Sequence, residues 1–97
     1  QNAQEIERLI RAFNPWPGTF TDLGEQRIRI HQASALKQGS DKGPGTVIAR
    51  ERDGVDVACG TGTLRITSAQ LPGSKAQSIN DLINGGKQVL LPGQELN

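Results

Sequence analysis

Apolar residues at Ile6, Leu9, Ile10 and Phe13 recur at the i, i+3, i+4, i+7 spacing that places four side chains on one helix face. The spacing predicts a helix over about 3–13. Glu7 and Arg11, four apart, form a supporting pair on its outer side. Pro15 stops it, because the residue before a proline avoids the α region, and Asn14 is the exit. The period then changes to two. Arg27, Arg29 and His31 alternate with Ile28 and Ile30, the pattern of a half-buried strand. Strands are likewise predicted over 47–52, 55–59 and 64–67, separated by Asp53-Gly54 and by Gly60-Thr61-Gly62. The stretch 38–45, with glycines at 39, 43 and 45 and Pro44, is a loop. Ser78 followed by Asp81 resembles a capping box, and Ile79, Leu82 and Ile83 supply an apolar stripe. A short helix is therefore predicted over 78–84, closed by Gly85 in a left-handed conformation, with a last strand over 89–91.

The order of helix, antiparallel strands, short helix and strand lacks strand-helix repeats. It predicts a mainly β fold, a small antiparallel β-barrel, closed or partly open. A chain of 97 residues makes one domain with a single modest core. The expected division is helix over 1–13 and barrel over 20–97. With one cysteine, Cys59, no disulfide within the chain or thiolate metal cage is expected, and an intracellular setting fits. No apolar run approaches the roughly 20 residues that span a bilayer, and no leader is visible. The expected protein is a cytoplasmic monomer.

Charge sharpens the picture only through its placement. Eleven lysines and arginines oppose ten acids, for a net charge of +1. Bulk electrostatics therefore does not mark a nucleic-acid binder. Phe13, Trp16 and Phe20 are the only aromatics. A stacking platform for bases is weighed against a core plug where helix meets barrel, and the plug is preferred, since large aromatics dominate small cores. Any RNA would then be held through its backbone by lysine and arginine. Arg27, Arg29, Lys37, Lys42, Arg50, Arg52, Arg65, Lys75 and Lys87 are candidates for a basic face, set against the ordinary solvated face of a sheet. Gly60-Thr61-Gly62 reads as a hairpin turn in preference to a phosphate cradle. His31 reads as a surface residue, and Cys59 as a small buried hydrophobe facing inward with Val55 and Val57.

Three stretches stand together: Asn-Pro-Trp-Pro-Gly-Thr-Phe at 14–20, Gly-Pro-Gly-Thr-Val-Ile at 43–48 and Val-Asp-Val-Ala-Cys-Gly-Thr-Gly-Thr-Leu-Arg-Ile at 55–66. In order and spacing they resemble the carboxy-terminal domain of the formyltransferases. The ending, Ala-Gln-Leu-Pro-Gly-Ser-Lys-Ala at 69–76, Asp-Leu-Ile-Asn-Gly at 81–85 and Leu-Pro-Gly at 91–93, is similar to the methionyl-tRNA branch of that family.

The resemblance implies an OB-like barrel in a two-domain bacterial enzyme of translation initiation. That enzyme passes a formyl group from 10-formyltetrahydrofolate to the amino group of methionine on initiator tRNA. The family's catalytic asparagine, histidine and aspartate have no matching positions here. The chain is thus expected to be inactive alone, to carry no cofactor, and to work beside an amino-terminal catalytic domain. The family's basic, tRNA-facing surface maps onto Lys75 and the Asn84–Lys87 segment, with Lys37, Lys42, Arg27, Arg29 and Arg65 as further candidates. Gly85 and Gly86 stand where relatives carry more basic residues. Asn14, Pro15, Trp16, Pro17 and Gly18 form the structural motif. Sugar-nucleotide and folate formyltransferases share the Pro-Trp-Pro-Gly element, so a structural domain that meets no nucleic acid stays open as the alternative.

Overall fold

A computed structural model describes residues 2–13, 19–23, 26–37, 39, 43–86 and 90–96. The motif at 14–18, Lys42 and Lys87 lie outside these residues. Helix α1 spans Ala3–Phe13, where the apolar spacing places it. Its start is set by Asn2, which the periodicity alone does not reveal. The Glu5 N–H donates to Asn2 Oδ1 at 2.8 Å, and the Asn2 N–H donates to Glu5 Oε1 at 3.3 Å. This reciprocal cap satisfies two donors at the helix start. Ala3 and Ile10 enter the core with Ile6 packed beside them, whereas Leu9 stays 41% exposed. Glu7 and Arg11 pair at 2.7 Å.

Six strands follow: β1 (Thr19–Leu23), β2 (Gln26–Leu36), β3 (Val47–Glu51), β4 (Gly54–Ala58), β5 (Thr63–Gln70) and β6 (Gln77–Ser78). They form one antiparallel sheet in the order β1-β2-β5-β4-β3, with β6 added to β5. Among the described residues no ladder joins β1 to β3, so the sheet is open where a closed barrel was one expectation. The outer edge of β3 is occupied at its start, at Val47. Residues 93–96 run along it, with Val47 N–H donating to Gln94 O at 2.8 Å, Gly93 N–H to Val47 O at 2.9 Å and Leu96 N–H to Gly45 O at 2.7 Å. Of the strand predicted at 89–91, residue 89 lies outside the described residues, and Leu90 and Leu91 are not in a strand. Leu90 has φ 57°, outside any strand conformation, and the pairing falls later, at the Thr46–Glu95 bridge.

The central pair β2–β5 carries two compensating irregularities. Its register runs Ile30 opposite Ala69, Gln32 opposite Ser68, then Ala33 opposite Ile66. His31 is thus an extra residue on β2 and Thr67 an extra residue on β5. Each extra residue reverses which face the following side chains take. On β2 the inward positions pass from Ile28 and Ile30 to Ala33 and Ala35, and on β5 from Leu64 and Ile66 to Ala69 and Leu71. Because both strands switch at the same place, small residues meet large ones across the ladder: Ile30 with Ala69, Ile66 with Ala33, Leu64 with Ala35. The break also divides the far edge of β5, with residues 63–66 pairing β4 and residues 68–69 pairing β6.

Helix α2 (Ile79–Asn84) is capped as predicted, Ser78 Oγ accepting from the Asp81 N–H at 3.1 Å. Its end differs from expectation. Gly85 has an ordinary φ of −79°, and Gly86, at φ 74°, supplies the left-handed residue. Gly85 continues the helical hydrogen bonding to Asp81 O, which moves the stop one residue later. Ile79 and Leu82 close the core together with Ile28, Val47, Val55, Ile66 and Leu90.

The Gly60-Thr61-Gly62 turn also seats the start of α1. The Ala3 N–H donates to Thr61 O at 2.9 Å, and Gly62 takes φ 82° with its Cα hydrogens against β2. A Cβ there would lie 2.8 Å from Leu36 O. Gly62→Ala combines a positive φ with a backbone clash, so we expect it to destabilise by more than about 1 kcal/mol. Ile66→Ala, at a residue 1% exposed, is expected to cost about 2–5 kcal/mol. Urea denaturation of both variants checks these values.

Candidate nucleic-acid interface

The face of the sheet opposite the core is set by the same registers. On β1 and β2, Phe20 stands opposite Arg29 and Asp22 opposite Arg27, while Thr21 stands opposite the buried Ile28. Phe20 therefore takes a register position on the outer face and is 53% exposed, and at this edge strand it also borders the apolar cleft beneath α1. This corrects the expectation of an aromatic core plug for Phe20; Trp16 lies outside the described residues. The reason is an inverted strand: β1 turns threonine toward the core side and phenylalanine toward solvent. The Arg27 guanidinium sits 5.9 Å from the Phe20 ring centroid and pairs with Asp22 at 3.3 Å. Arg27 is 69% exposed at its side chain, so that ion pair holds little energy against competition.

The next row on this face is Arg29 with Gln70. Gln70 is oriented by two contacts, its Nε2 donating to Ser74 O at 2.7 Å and its Oε1 lying 3.0 Å from His31 Nε2. A carboxamide oxygen only accepts, so His31 Nε2 carries the donated proton. His31 is consequently half-buried and engaged, where a free surface residue was expected. The same contacts tie the 71–76 turn, with its exposed Lys75, to the Arg27–Arg29 end of β2. Among the described residues of β1, β2 and that turn, Arg27, Arg29 and Lys75 accompany one carboxylate, Asp22; Glu25 lies outside those residues.

The remaining candidates do not gather there. Lys37 follows the opposite end of β2, eight residues from Arg29, roughly 25 Å away at about 3.3 Å per residue. It flanks the Thr61–Gly62 turn and the start of α1. Arg65 lies mid-sheet with its Nε and Nη2 donating to the two carboxylate oxygens of Asp56 at 2.8 and 3.2 Å. That paired carboxylate pushes the Arg65 pKa above its ordinary value and balances its charge. Arg50 is half-buried and engaged, and Arg52 is exposed in the β3–β4 turn. Asn84 is exposed at the end of α2. The basic set thus splits, with Arg27, Arg29 and Lys75 at the β1–β2 end and Lys37, Arg50, Arg52 and Arg65 elsewhere.

Beneath α1, Ile6, Leu9, Ile10, Ile30, Val57 and Leu64 contribute to an apolar cleft of about 360 Å³. Its lining residues include no acid, base or histidine apart from the thiol of Cys59. Cys59 follows β4 and is partly buried against the core, with Sγ donating to Val57 O at 3.7 Å. Among the described residues no group of three or more histidine, cysteine or acidic side chains could hold a metal, and no helix is long and apolar enough to cross a membrane.

The described residues form an open antiparallel sheet with a leading helix seated on its β4–β5 turn. The chain belongs to the family described as formyl transferase, C-terminal domain, whose model matches residues 1–87. It is 98% identical over 97 residues to a methionyl-tRNA formyltransferase of Marinobacter nauticus, covering all of this chain and 31% of that protein. It is 46% identical over 101 residues to the enzyme of the same name from Idiomarina loihiensis, covering 99% of this chain and 32% of the relative. Identity to that of Hahella chejuensis is 53% over 94 residues, covering 97% and 30%. The chain spans about a third of the length of these curated relatives.

Burial pushes the Cys59 thiol pKa above its ordinary value, which lowers the reactive thiolate fraction. Alkylation by iodoacetamide at neutral pH is expected to be slower than for free cysteine and to accelerate on unfolding, as followed by mass spectrometry.

Proposed function

We propose that this chain is the tRNA-holding, non-catalytic part of a methionyl-tRNA formyltransferase. On this reading the open sheet is an OB-like barrel variant, and formyl transfer from 10-formyltetrahydrofolate to initiator methionyl-tRNA is carried out by polypeptide outside this chain. The observation that carries the tRNA half is the gathering of Arg27, Arg29 and Lys75 at one end of the outer face, with Asp22 the one carboxylate among the described residues of the same elements and Glu25, between β1 and β2, outside them. Phosphate contacts of this kind position a folded RNA without reading its sequence. The relatives' shared methionyl-tRNA name supports this reading over a purely structural domain of a sugar-nucleotide or folate formyltransferase.

Charge placement decides which cations matter. Arg65 is balanced by Asp56, and Lys37 stands at the far end of β2. Binding of tRNA to the full-length polypeptide should fall linearly in log affinity against log salt, because each phosphate contact releases counterions. We expect Arg27→Ala and Lys75→Ala each to lower the slope by about one, with Lys37→Ala leaving it unchanged. Fluorescence anisotropy between about 50 and 200 mM salt measures this; a wild-type slope near zero overturns the tRNA reading.

A further inference from the structure

We propose that Phe20 and Arg27 form a stacking site for an unpaired base, placed at the edge of the phosphate-binding end of the sheet. The inference rests on the RNA-holding reading and makes it specific to a single-stranded segment. Phe20 is strongly exposed, and with Leu9 is one of two large apolar side chains left in solvent among the described residues. In register Phe20 stands opposite Arg29, and at this edge strand it also borders the apolar cleft beneath α1.

The surroundings distinguish this ring from a stray surface hydrophobe. The Arg27 guanidinium, 5.9 Å from the centroid, lies within cation–π range and stands beside the ring. Arg29 is directly across the ladder, and Lys75 lies past Gln70 on the turn tied to the same strand. A nucleotide needs two things at once, an apolar π face for its base and a cation for its phosphate. Aromatic faces accept any base, because every base has a π face, and arginine adds to the stack. Here β1 offers the ring while β2 and the 71–76 turn offer the cations. Along its length duplex RNA keeps its base faces stacked on one another and presents backbone, 2′-hydroxyls and base edges, so it offers no free base face to Phe20. Asp22 does not block the site, since its contact with Arg27 is long and exposed, at 3.3 Å with side-chain exposures of 69% and 42%.

The test uses the full-length polypeptide with three probes: an unpaired RNA hexanucleotide, a blunt RNA duplex and tRNA. Phe20→Leu keeps apolar bulk on β1 but removes the π face, and Phe20→Tyr retains it. Loss of one stacked base predicts that Phe20→Leu weakens the hexanucleotide by about 5- to 150-fold. Duplex affinity and the salt slope should stay unchanged, and Phe20→Tyr should bind like the parent. Circular dichroism confirms that both variants are folded. If Phe20→Leu binds the hexanucleotide as tightly as the parent while tRNA binding persists, the stacking site is overturned and the RNA-holding reading stands. If the parent binds none of the three probes, both are overturned.

Discussion

The matched pair of extra residues in β2 and β5 is the constraint on which the rest of the structure depends. A single bulge would flip one strand's apolar residues to solvent while its neighbour's stayed inside. With His31 and Thr67 placed one ladder step apart, the offset cancels and both strands change phase together. The core then continues through Ala33, Ala35, Ala69 and Leu71 without a gap in its apolar lining. A bulge also bends its strand and increases the local twist. The bend accounts for how β5 serves three neighbours, holding β2 on one edge and dividing the other between β4 and β6.

That geometry reaches the outer face as well. His31 is both the extra residue of β2 and the partner of Gln70, so the irregularity that steers the core also anchors the turn carrying Lys75. Stability and presentation of charge are thus settled at one point in the sheet. The ion pair of Arg65 with Asp56 lies beyond it, on β4 and β5, where a cation has been turned into cross-strand glue.

Much of the architecture was legible in the chain. The stripe Ile6, Ile10 and the alternation around Ile28 and Ile30 mark α1 and β2, and Ser78 with Asp81 marks α2. Three things were not legible, each for a physical reason. Strand β1 inverts the usual preference, with Thr21 on the core side and Phe20 outside, so periodicity gives no signal and an aromatic is read as core. The phase switch breaks alternation after Ile30, which hides the second half of β2. The terminal pairing at 93–96 joins Gly93, Gln94 and Glu95 to a single apolar residue, Leu96, too short a run for periodicity, and its backbone makes the hydrogen bonds with 45–47. Among the candidate cations, residue type alone could not separate Arg65, neutralised across a ladder nine residues away in sequence, from Arg27 and Lys75.

The segment along β3 has a consequence for handling the protein. Strand β3 is the last in its sheet, and Val47 would otherwise offer both its N–H and its C=O to any passing chain. Residues 93–96 occupy those groups, so the chain guards the first residue of its open edge against edge-to-edge association. A short run with few core side chains thereby acts as a solubility device, and shortening or crowding it endangers the monodispersity of a preparation before it endangers the fold.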